Sequence, residues 1–301
     1  MRILMPIDAS NYSKAAVAFV ASRTTLIKSQ PDVELLNVQY RVPIRAARAL
    51  GKEMVNSYHD SEANRALKPA LAALKRADVK ASARYVVGTV ANELAAIVAA
   101  DAADLIVMGS HGDTGLRKLL LGSVTGTVMA SCATPMLVMR DKPPTKKDSL
   151  KLAIALDGSK YGVAAVRFFV KHRDFFGATP ALTLVHVVPD LLNLGVPGFF
   201  GRVPVPNLRP EQIEAMQSAA FETAMVPARK LLERAGVTAT EVRLSGNNPG
   251  DQIAAYAAKN KLDLIALGSH GQGALESAVL GSVATRIAAK CQAPLLFVRE
   301  K

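Results

Sequence analysis

The chain has 301 residues and a formal net charge of +12, with 50% hydrophobic and 21% charged residues. This composition is typical of an ordinary soluble globular protein that can bury two sizeable cores. The two cysteines show no metal-ligand or Cys-x-x-Cys spacing, which argues against a zinc or redox site and favours a reducing compartment. Because the first strand candidate begins at Arg2, we expect no signal peptide and a cytoplasmic protein.

Short aliphatic and β-branched runs alternate with helical stretches along the whole chain. One predicted helix covers Asn92–Asp101, with Asn92 as its cap and an apolar face at Leu94, Ile97 and Val98. Strands that alternate with helices predict an α/β fold whose parallel sheet is covered on both faces. The predicted strands are Arg2–Ile7, Val33–Gln39, Ser82–Val87, Asp104–Met108, Met136–Met139, Lys151–Leu156, Ala181–Val188, Ala239–Leu244, Asp263–Leu267 and Leu295–Val298.

The stretch Leu119–Met139 contains no charged residue and has the length of a membrane span. It is interrupted by glycines and by Pro135, and its counterpart in the second half of the chain carries Arg286 and Lys290, with Glu276 just before it. We therefore interpret it as loop, helix and strand, and predict a protein with no membrane span.

The two halves of the chain repeat one another. Between Asp104–Arg140 and Asp263–Arg299, 17 of 37 positions are identical without a gap. The repeat predicts a first domain at residues 1–141, a polar linker with two prolines at residues 142–149, and a second domain at residues 150–301. About ten extra residues of the second half fall in the proline- and glycine-rich stretch Pro189–Pro210. That insertion is interpreted as a lid, an oligomer contact, a site for an apolar ligand, or a segment packed on its own domain.

An aspartate follows the first strand of each half, and a glycine follows the fourth. In a doubly wound sheet of order 3-2-1-4-5, the first and fourth strands are neighbours. Asp8 would then face Gly109 across the crevice at the carboxyl ends of the strands, and Asp157 would face Gly268. We expect Gly109 and Gly112 to turn the chain sharply, in conformations that would cost an L-residue about 1–2 kcal/mol.

A second glycine, followed by serine, is predicted to begin the next helix in each half, at Gly122 and Gly281. The free N–H groups and positive end of such a helix bind anions. Because an aspartate repels phosphate, Asp8 and Asp157 would contact ribose hydroxyls or a bound Mg²⁺. The pattern therefore predicts two phosphate or nucleotide sites.

The pattern Gly-x2-Gly-x9-Gly-Ser, with Asp-x-Ser after the first strand and proline before the last, resembles the universal stress protein family in two copies. The resemblance implies tandem sheets of the adenine-nucleotide alpha-hydrolase-like type that pair through their last strands as an internal pseudo-dimer. It also implies ATP as ligand, with adenine at the backbone at the end of strand two. The implied nucleotide-binding residues are Asp8, Val38, Gly109, Gly112, Gly122 and Ser123, and Asp157, Val187, Gly268, Gly271, Gly281 and Ser282.

Three classes of function remain open from the sequence. The first is a regulatory module that binds ATP, or a related adenine nucleotide, under stress and changes its contacts with a protein partner. The second is a slow ATPase, although the chain has no P-loop motif and no catalytic residue is identified. The third is a scaffold or carrier of small apolar ligands without nucleotide. Pairing of whole chains into a homodimer is also left open.

Several other residues receive structural interpretations. His111 and His270 have no identified acid–base partner, and His186 is interpreted as a histidine satisfied within a strand. Cys132 and Cys291 are interpreted as core residues. Basic residues outnumber acidic ones between Arg41 and Lys80, but no nucleic-acid motif accompanies them, so nucleic acid is disfavoured as a partner.

Overall fold

The computed structural model describes residues 1–23, 30–100, 102–111, 121–140, 149–191, 209–271 and 280–299. The linker residues 141–148 and most of the insertion, residues 192–208, lie outside these ranges. In the first half the elements are β1 (Arg2–Pro6), α1 (Asn11–Ala21), β2 (Asp32–Gln39), α2 (Ile44–Leu50), α3 (Lys52–Arg76), β3 (Ala81–Val87), α4 (Val90–Ala100), β4 (Leu105–Gly109), α5 (Ser123–Ser131) and β5 (Met136–Met139).

The second half follows the same order of strands, but one helix rather than two is described between its second and third strands, and a short 3₁₀ helix is added at Arg173–Phe176. Its elements are β6 (Lys151–Ala155), α6 (Lys160–Lys171), β7 (Ala181–Val188), α7 (Pro210–Arg234), β8 (Thr240–Ser245), α8 (Pro249–Lys259), β9 (Leu264–Gly268), α9 (Ser282–Lys290) and β10 (Leu295–Val298). Each predicted strand is present, with bounds that differ by at most one residue. The predicted cap at Asn92 is wrong, because α4 already begins at Val90 and the Thr89 carbonyl accepts the N–H of Glu93 at 2.9 Å.

The ten strands form one continuous sheet in the order β3-β2-β1-β4-β5-β10-β9-β6-β7-β8. All neighbours are parallel except β5 and β10, which pair antiparallel with Val138 opposite Leu295 and Met136 opposite Phe297. The doubly wound order 3-2-1-4-5 is therefore confirmed in each half. The pairing of the last strands is confirmed as well, so the chain is its own pseudo-dimer.

Apolar side chains fill both faces of the sheet. Because successive strand residues point to opposite faces, Ile3 and Met5 belong to one core with α1, α3, α6 and α7, whereas Leu4 belongs to the other. The second core contains α4, α5, α8 and α9. In the described ranges, no helix is both long and apolar enough to cross a membrane.

The two cysteines occupy equivalent positions, as the residues that directly follow α5 and α9. Cys291 is buried and Cys132 is partly buried, with its Sγ donating to the Val128 carbonyl at 3.3 Å. Burial raises the pKa of the Cys132 thiol. A thiol with a raised pKa is a poor nucleophile, in keeping with a core residue.

Candidate functional site

Two clefts open at the carboxyl ends of the parallel strands, one in each half. The first has a volume of about 640 Å³ and the second about 500 Å³. Both volumes are in the range of small-molecule and cofactor sites, roughly 300–1,000 Å³. The first cleft brings together Asp8, Val38, Gly109, Gly122 and Ser123. The second brings together Asp157, Val187, Gly268, Gly271, Gly281 and Ser282. Gly112 lies outside the described residues.

The backbone at the end of β2 faces the first cleft. The Leu36 carbonyl accepts the N–H of Ile7 at 2.8 Å, on the side of β1, and the Gln39 carbonyl accepts the N–H of Gly88 on the side of β3. Successive residues of a strand point their N–H and C=O groups to opposite neighbours. Val38 lies two residues after Leu36, so its N–H and C=O point to the side of β1, as those of Leu36 do. Since β1 ends at Pro6, the peptide groups of Val38 face the cleft rather than another strand.

The same arrangement occurs at Val187. The Val185 carbonyl accepts the N–H of Leu156, and the Val188 carbonyl accepts that of Gly246. The peptide groups of Val187 therefore point beyond the end of β6, into the second cleft. Each cleft has at this edge a donor and an acceptor side by side, as a purine edge requires.

The start of α5 forms a cradle of N–H donors. The first helical bond of α5 runs from the Gly126 N–H to the Gly122 carbonyl at 2.9 Å. The N–H groups of Ser123, Val124 and Thr125 therefore have no acceptor within the helix, and all three residues line the cleft. Together with the positive end of the helix, they form an anion-binding surface.

The start of α9 is built in the same way. Its first helical bond joins the Thr285 N–H to the Gly281 carbonyl at 2.9 Å, which leaves the N–H groups of Ser282, Val283 and Ala284 facing the second cleft. Gly281 is tied to the turn after β9 by its own N–H, which donates to the Ser269 carbonyl at 2.8 Å. The predicted helix starts at Gly122-Ser123 and Gly281-Ser282 are thus confirmed.

The carboxylate of Asp8 is held rigidly at the floor of the first cleft. Its Oδ1 accepts the Ser10 N–H at 3.0 Å and the hydroxyls of Ser10 and Ser13. In the second half, Asp157 Oδ1 accepts the Ser159 N–H at 2.9 Å, and Gly162 takes the place of Ser13. A Cβ on Gly271 would stand 2.6 Å from Asp157 Oδ2, so the chain passes directly over this carboxylate.

The expected role of Gly109 in a strained turn is wrong. Neither Gly109 nor its counterpart Gly268 has a positive φ angle. Both end a strand, and a Cβ on either would stand 2.5 Å from the Cβ of a tyrosine, Tyr12 or Tyr161, in the helix that packs on it. These glycines are therefore required for close approach of α1 and α6 to the sheet.

The histidines and the threonine of the motif bond within the protein. Ser110 Oγ and His111 Nδ1 are 3.1 Å apart, and Ser269 Oγ and His270 Nδ1 are 2.8 Å apart. Each histidine ring also lies 5.4 Å from a tyrosine ring of the adjacent helix. The Thr125 hydroxyl, which Ala284 lacks, donates to the Gly109 carbonyl at 3.1 Å. These contacts fix side chains that also line the two clefts.

Sequence reasoning did not identify the side chains that bond to the carbonyls following β1 and β6. Asn37 Nδ2 donates to the Ile7 carbonyl at 2.7 Å, and His186 Nδ1 lies 2.7 Å from the Leu156 carbonyl. The shared offset of 149 residues in both pairs is a signal that could have identified them. His186 is therefore a satisfied strand histidine, as its position predicts.

The two clefts differ in the charged side chains that line them. The first is also lined by Tyr40 and by an ion pair in which Arg65 Nη2 lies 2.8 Å from Glu62 Oε2. The described lining of the second contains no arginine, lysine or glutamate. No group of three or more His, Cys, Asp or Glu residues with metal-binding geometry occurs in the described residues.

Comparison with known proteins follows the repeat. Residues 1–140 and residues 150–299 each match the model of the universal stress protein family. A universal stress protein of Methanocaldococcus jannaschii is 33% identical over 150 residues, which cover 48% of this chain and 84% of that protein. A universal stress protein of Mycolicibacterium smegmatis is 24% identical over 307 residues, which cover 99% of this chain and 97% of that protein.

Among solved structures, a universal stress protein from Archaeoglobus fulgidus has the same fold. Its TM-score is 0.67 at 18% sequence identity, and the match covers 100% of this chain and 98% of that chain. Since the family model matches both halves and together they make up nearly the whole sequence, the chain belongs to the universal stress protein family.

Proposed function

We propose that each cleft binds an adenine nucleotide, ATP above all, and that the protein is a regulatory module of the stress response. Occupancy of the clefts would change its contacts with a protein partner. The observation that carries this proposal is a pair of backbone surfaces in each cleft. The inward-facing peptide groups of Val38 or Val187 lie at one edge, and three N–H groups of a helix start, which have no acceptor within the helix, lie at another.

The chemistry of these surfaces matches the parts of a nucleotide. A peptide N–H and C=O side by side can pair with the edge of adenine, and the helix start can hold the phosphates. The fixed carboxylates of Asp8 and Asp157 can accept hydrogen bonds from ribose hydroxyls. They would also be the residues to hold Mg²⁺ beside the phosphates, where the ion would offset the negative charge.

The proposal is tested by what the purified protein carries. The protein is denatured by heat, and the released small molecules are separated by ion-exchange chromatography and identified by mass spectrometry. Released ATP, or saturable ATP binding by calorimetry when nothing is released, supports a regulatory nucleotide module. ADP that accumulates with turnover supports the slow ATPase instead. Absence of both release and binding contradicts the proposal and leaves the scaffold or carrier.

Substitution of one glycine in each half assigns the occupied cleft. A Cβ on Gly122 would stand 3.1 Å from the Ser110 carbonyl, and one on Gly281 would stand 3.4 Å from His270 Cα. The Cβ alone crowds the first half and only touches the second, but the two methyl groups of valine extend beyond the Cβ in both. We therefore expect Gly122→Val to abolish binding in the first cleft and Gly281→Val in the second. Calorimetric stoichiometry measures the loss of each site.

The control is Ala130→Val, which adds the same side chain at an exposed position of α5 away from the cleft. Its stoichiometry should equal that of the parent protein. If both glycine variants retain full stoichiometry and affinity, the nucleotide does not lie at the helix starts.

A further inference from the structure

The antiparallel pairing of β5 with β10 places the end of each strand beside a helix of the opposite half. In both halves, the helix that begins at the cleft ends shortly before the last strand begins. Antiparallel partners run in opposite directions, so a residue that follows β5 lies where α9 ends, and one that follows β10 lies where α5 ends. The residues at these two positions are Arg140 and Arg299.

Both arginines donate to the last turn of the opposite helix. Arg299 Nη1 donates to the Met129 carbonyl at 2.7 Å and to the Cys132 carbonyl at 3.2 Å, at the end of α5. Arg140 Nη2 donates to the Ala288 carbonyl, in the last turn of α9. Helix ends have carbonyl groups without intrahelical donors, and arginine satisfies them while its charge complements the negative end of the helix.

Neither arginine has an ion-pair partner among the described residues. Arg140 is only 6% exposed, and its buried Nε has no hydrogen-bond partner in the described structure. Burial lowers the pKa of the Arg140 guanidinium. Burying a cation without a carboxylate is costly, so its main compensation here is the carbonyl end of the helix.

Each of these helices has its other end in a cleft. α5 and α9 have nine residues each, a length of about 13 Å. The first turn of α5 presents Ser123 to the first cleft, and its last turn is held by Arg299 from the second half. The first turn of α9 presents Ser282 to the second cleft, and its last turn is held by Arg140 from the first half. A displacement of the last turn of so short a helix can therefore be transmitted to its first turn.

We propose that Arg299 and Arg140 are positioning residues that act across the pseudo-dimer: Arg299 orients the α5 cradle of the first cleft, and Arg140 orients the α9 cradle of the second. The affinity of each cleft for its anionic ligand then depends on an arginine of the opposite half. This inference rests on the proposed function for the identity of the ligand, although the arrangement of the two helices does not.

The affinity test uses full-length protein in which one cleft is inactivated. In the Gly281→Val background, where only the first cleft binds, Arg299→Met should weaken ATP binding about fivefold, at the lower end of the range for coupled sites. Arg140→Met should leave that affinity unchanged. In the Gly122→Val background the pattern should reverse. Arg→Lys, which keeps the charge and a donor, should restore most of the affinity.

The crossed pattern distinguishes positioning from general loss of stability, because a destabilised protein would lose affinity in both clefts. Equal effects of both arginines on both clefts, an effect confined to the arginine's own half, or no effect at all would overturn the inference. If neither single-cleft protein binds ATP before the arginines are changed, the proposed function fails instead.

A measurement without ligand tests the inference even if the single-cleft proteins or their arginine variants do not bind ATP. Amide hydrogen exchange of the full-length protein is followed in peptides that contain the first turns of α5 and α9. Arg299→Met should accelerate exchange around Ser123 by several-fold and leave the region of Ser282 unchanged, and Arg140→Met should do the opposite. If a methionine variant fails to fold, the matched glutamine variant replaces it, and the lysine variant remains the conservative control. An arginine variant that accelerates exchange equally in both helix starts, or in neither, would contradict the inference.

Discussion

At the scale of single residues, glycines of one motif serve different purposes. Gly122 and Gly281 cap a helix beside a cleft, whereas Gly109 and Gly268 admit the backbone of a packed helix. The sequence pattern shows only that a Cβ is absent at each position. Which atom lies where that Cβ would be is decided by tertiary packing, so spacing alone could not separate the two roles.

Gly109→Ala and Gly268→Ala should each lower the free energy of unfolding by about 1–3 kcal/mol, because α1 or α6 must move away from the sheet. Gly126→Ala is the matched control, since a Cβ there meets nothing within 4 Å and Gly126 lies inside α5. That substitution should be stabilising by about 0.5–1 kcal/mol. Urea unfolding midpoints measure all three. A Gly109→Ala protein as stable as the control would refute the packing explanation.

At the scale of elements, the strands could be predicted almost to the residue, whereas the groups that join them could not. A buried parallel strand requires a short aliphatic run. Leu105–Gly109 and Leu264–Gly268 are such runs, and each follows an aspartate and precedes Ser-His-Gly. The contacts of Asn37 with Ile7 and of Arg299 with Met129 join residues 30 and 170 positions apart. Contacts of that kind depend on topology, and no local pattern specifies them. The place of Val38 at the edge of the first cleft was implied by the family resemblance and not by residue chemistry.

Asp104 and Asp263, which occupy the same position in the two halves, connect neighbouring strands. Asp104 Oδ2 accepts the backbone N–H of Arg2 at 2.9 Å, and Asp263 Oδ2 accepts that of Lys151 at 2.8 Å. Each aspartate thus ties the start of a first strand to the start of the fourth strand beside it. Asp104 Oδ1 also lies 3.4 Å from Lys171 Nζ, in the second half.

The Asp104 contacts predict a dependence of stability on pH. Burial raises the pKa of Asp104, but the Arg2 N–H and the charge of Lys171 outweigh it, so the pKa lies below its usual value. A carboxylate with a lowered folded-state pKa contributes stability above its unfolded pKa and loses it as the pH falls through the folded value. Asp104→Asn, which keeps an acceptor oxygen, should therefore cost about 1 kcal/mol or less at neutral pH, given the partial exposure of the pair.

Unfolding by urea at several pH values measures this effect. The difference between Asp104→Asn and the parent protein should disappear as the pH falls below the usual range of an aspartate. Asp32→Asn is the control, since Asp32 is 74% exposed and lies 3.8 Å from Arg2 Nε, so it should show little difference at any pH. A constant difference across the pH range would show that the charge of Asp104 is not the cause.

At the scale of the whole molecule, the sheet is continuous because the last strands of the two halves, β5 and β10, pair edge to edge. β5 and β10 each have four fully buried residues, and each is the neighbour of a parallel strand on one side and of its antiparallel partner on the other. Separation of the halves would expose an apolar strand edge, which favours pairing with another chain. The internal repeat supplies a covalently attached partner for that edge.

This arrangement predicts how the halves behave when they are produced apart. The first half alone, residues 1–140, should form homodimers, since β5 of one copy can pair antiparallel with β5 of another in place of β10. Mixing it with residues 149–301 should convert these homodimers into a one-to-one complex, because β10 is the partner to which β5 is fitted in the intact sheet. Sedimentation velocity at micromolar concentration measures the masses, with the intact chain as reference. A first half that sediments as a folded monomer, and that does not bind the second half, would show that the paired strands are not what holds the two halves together.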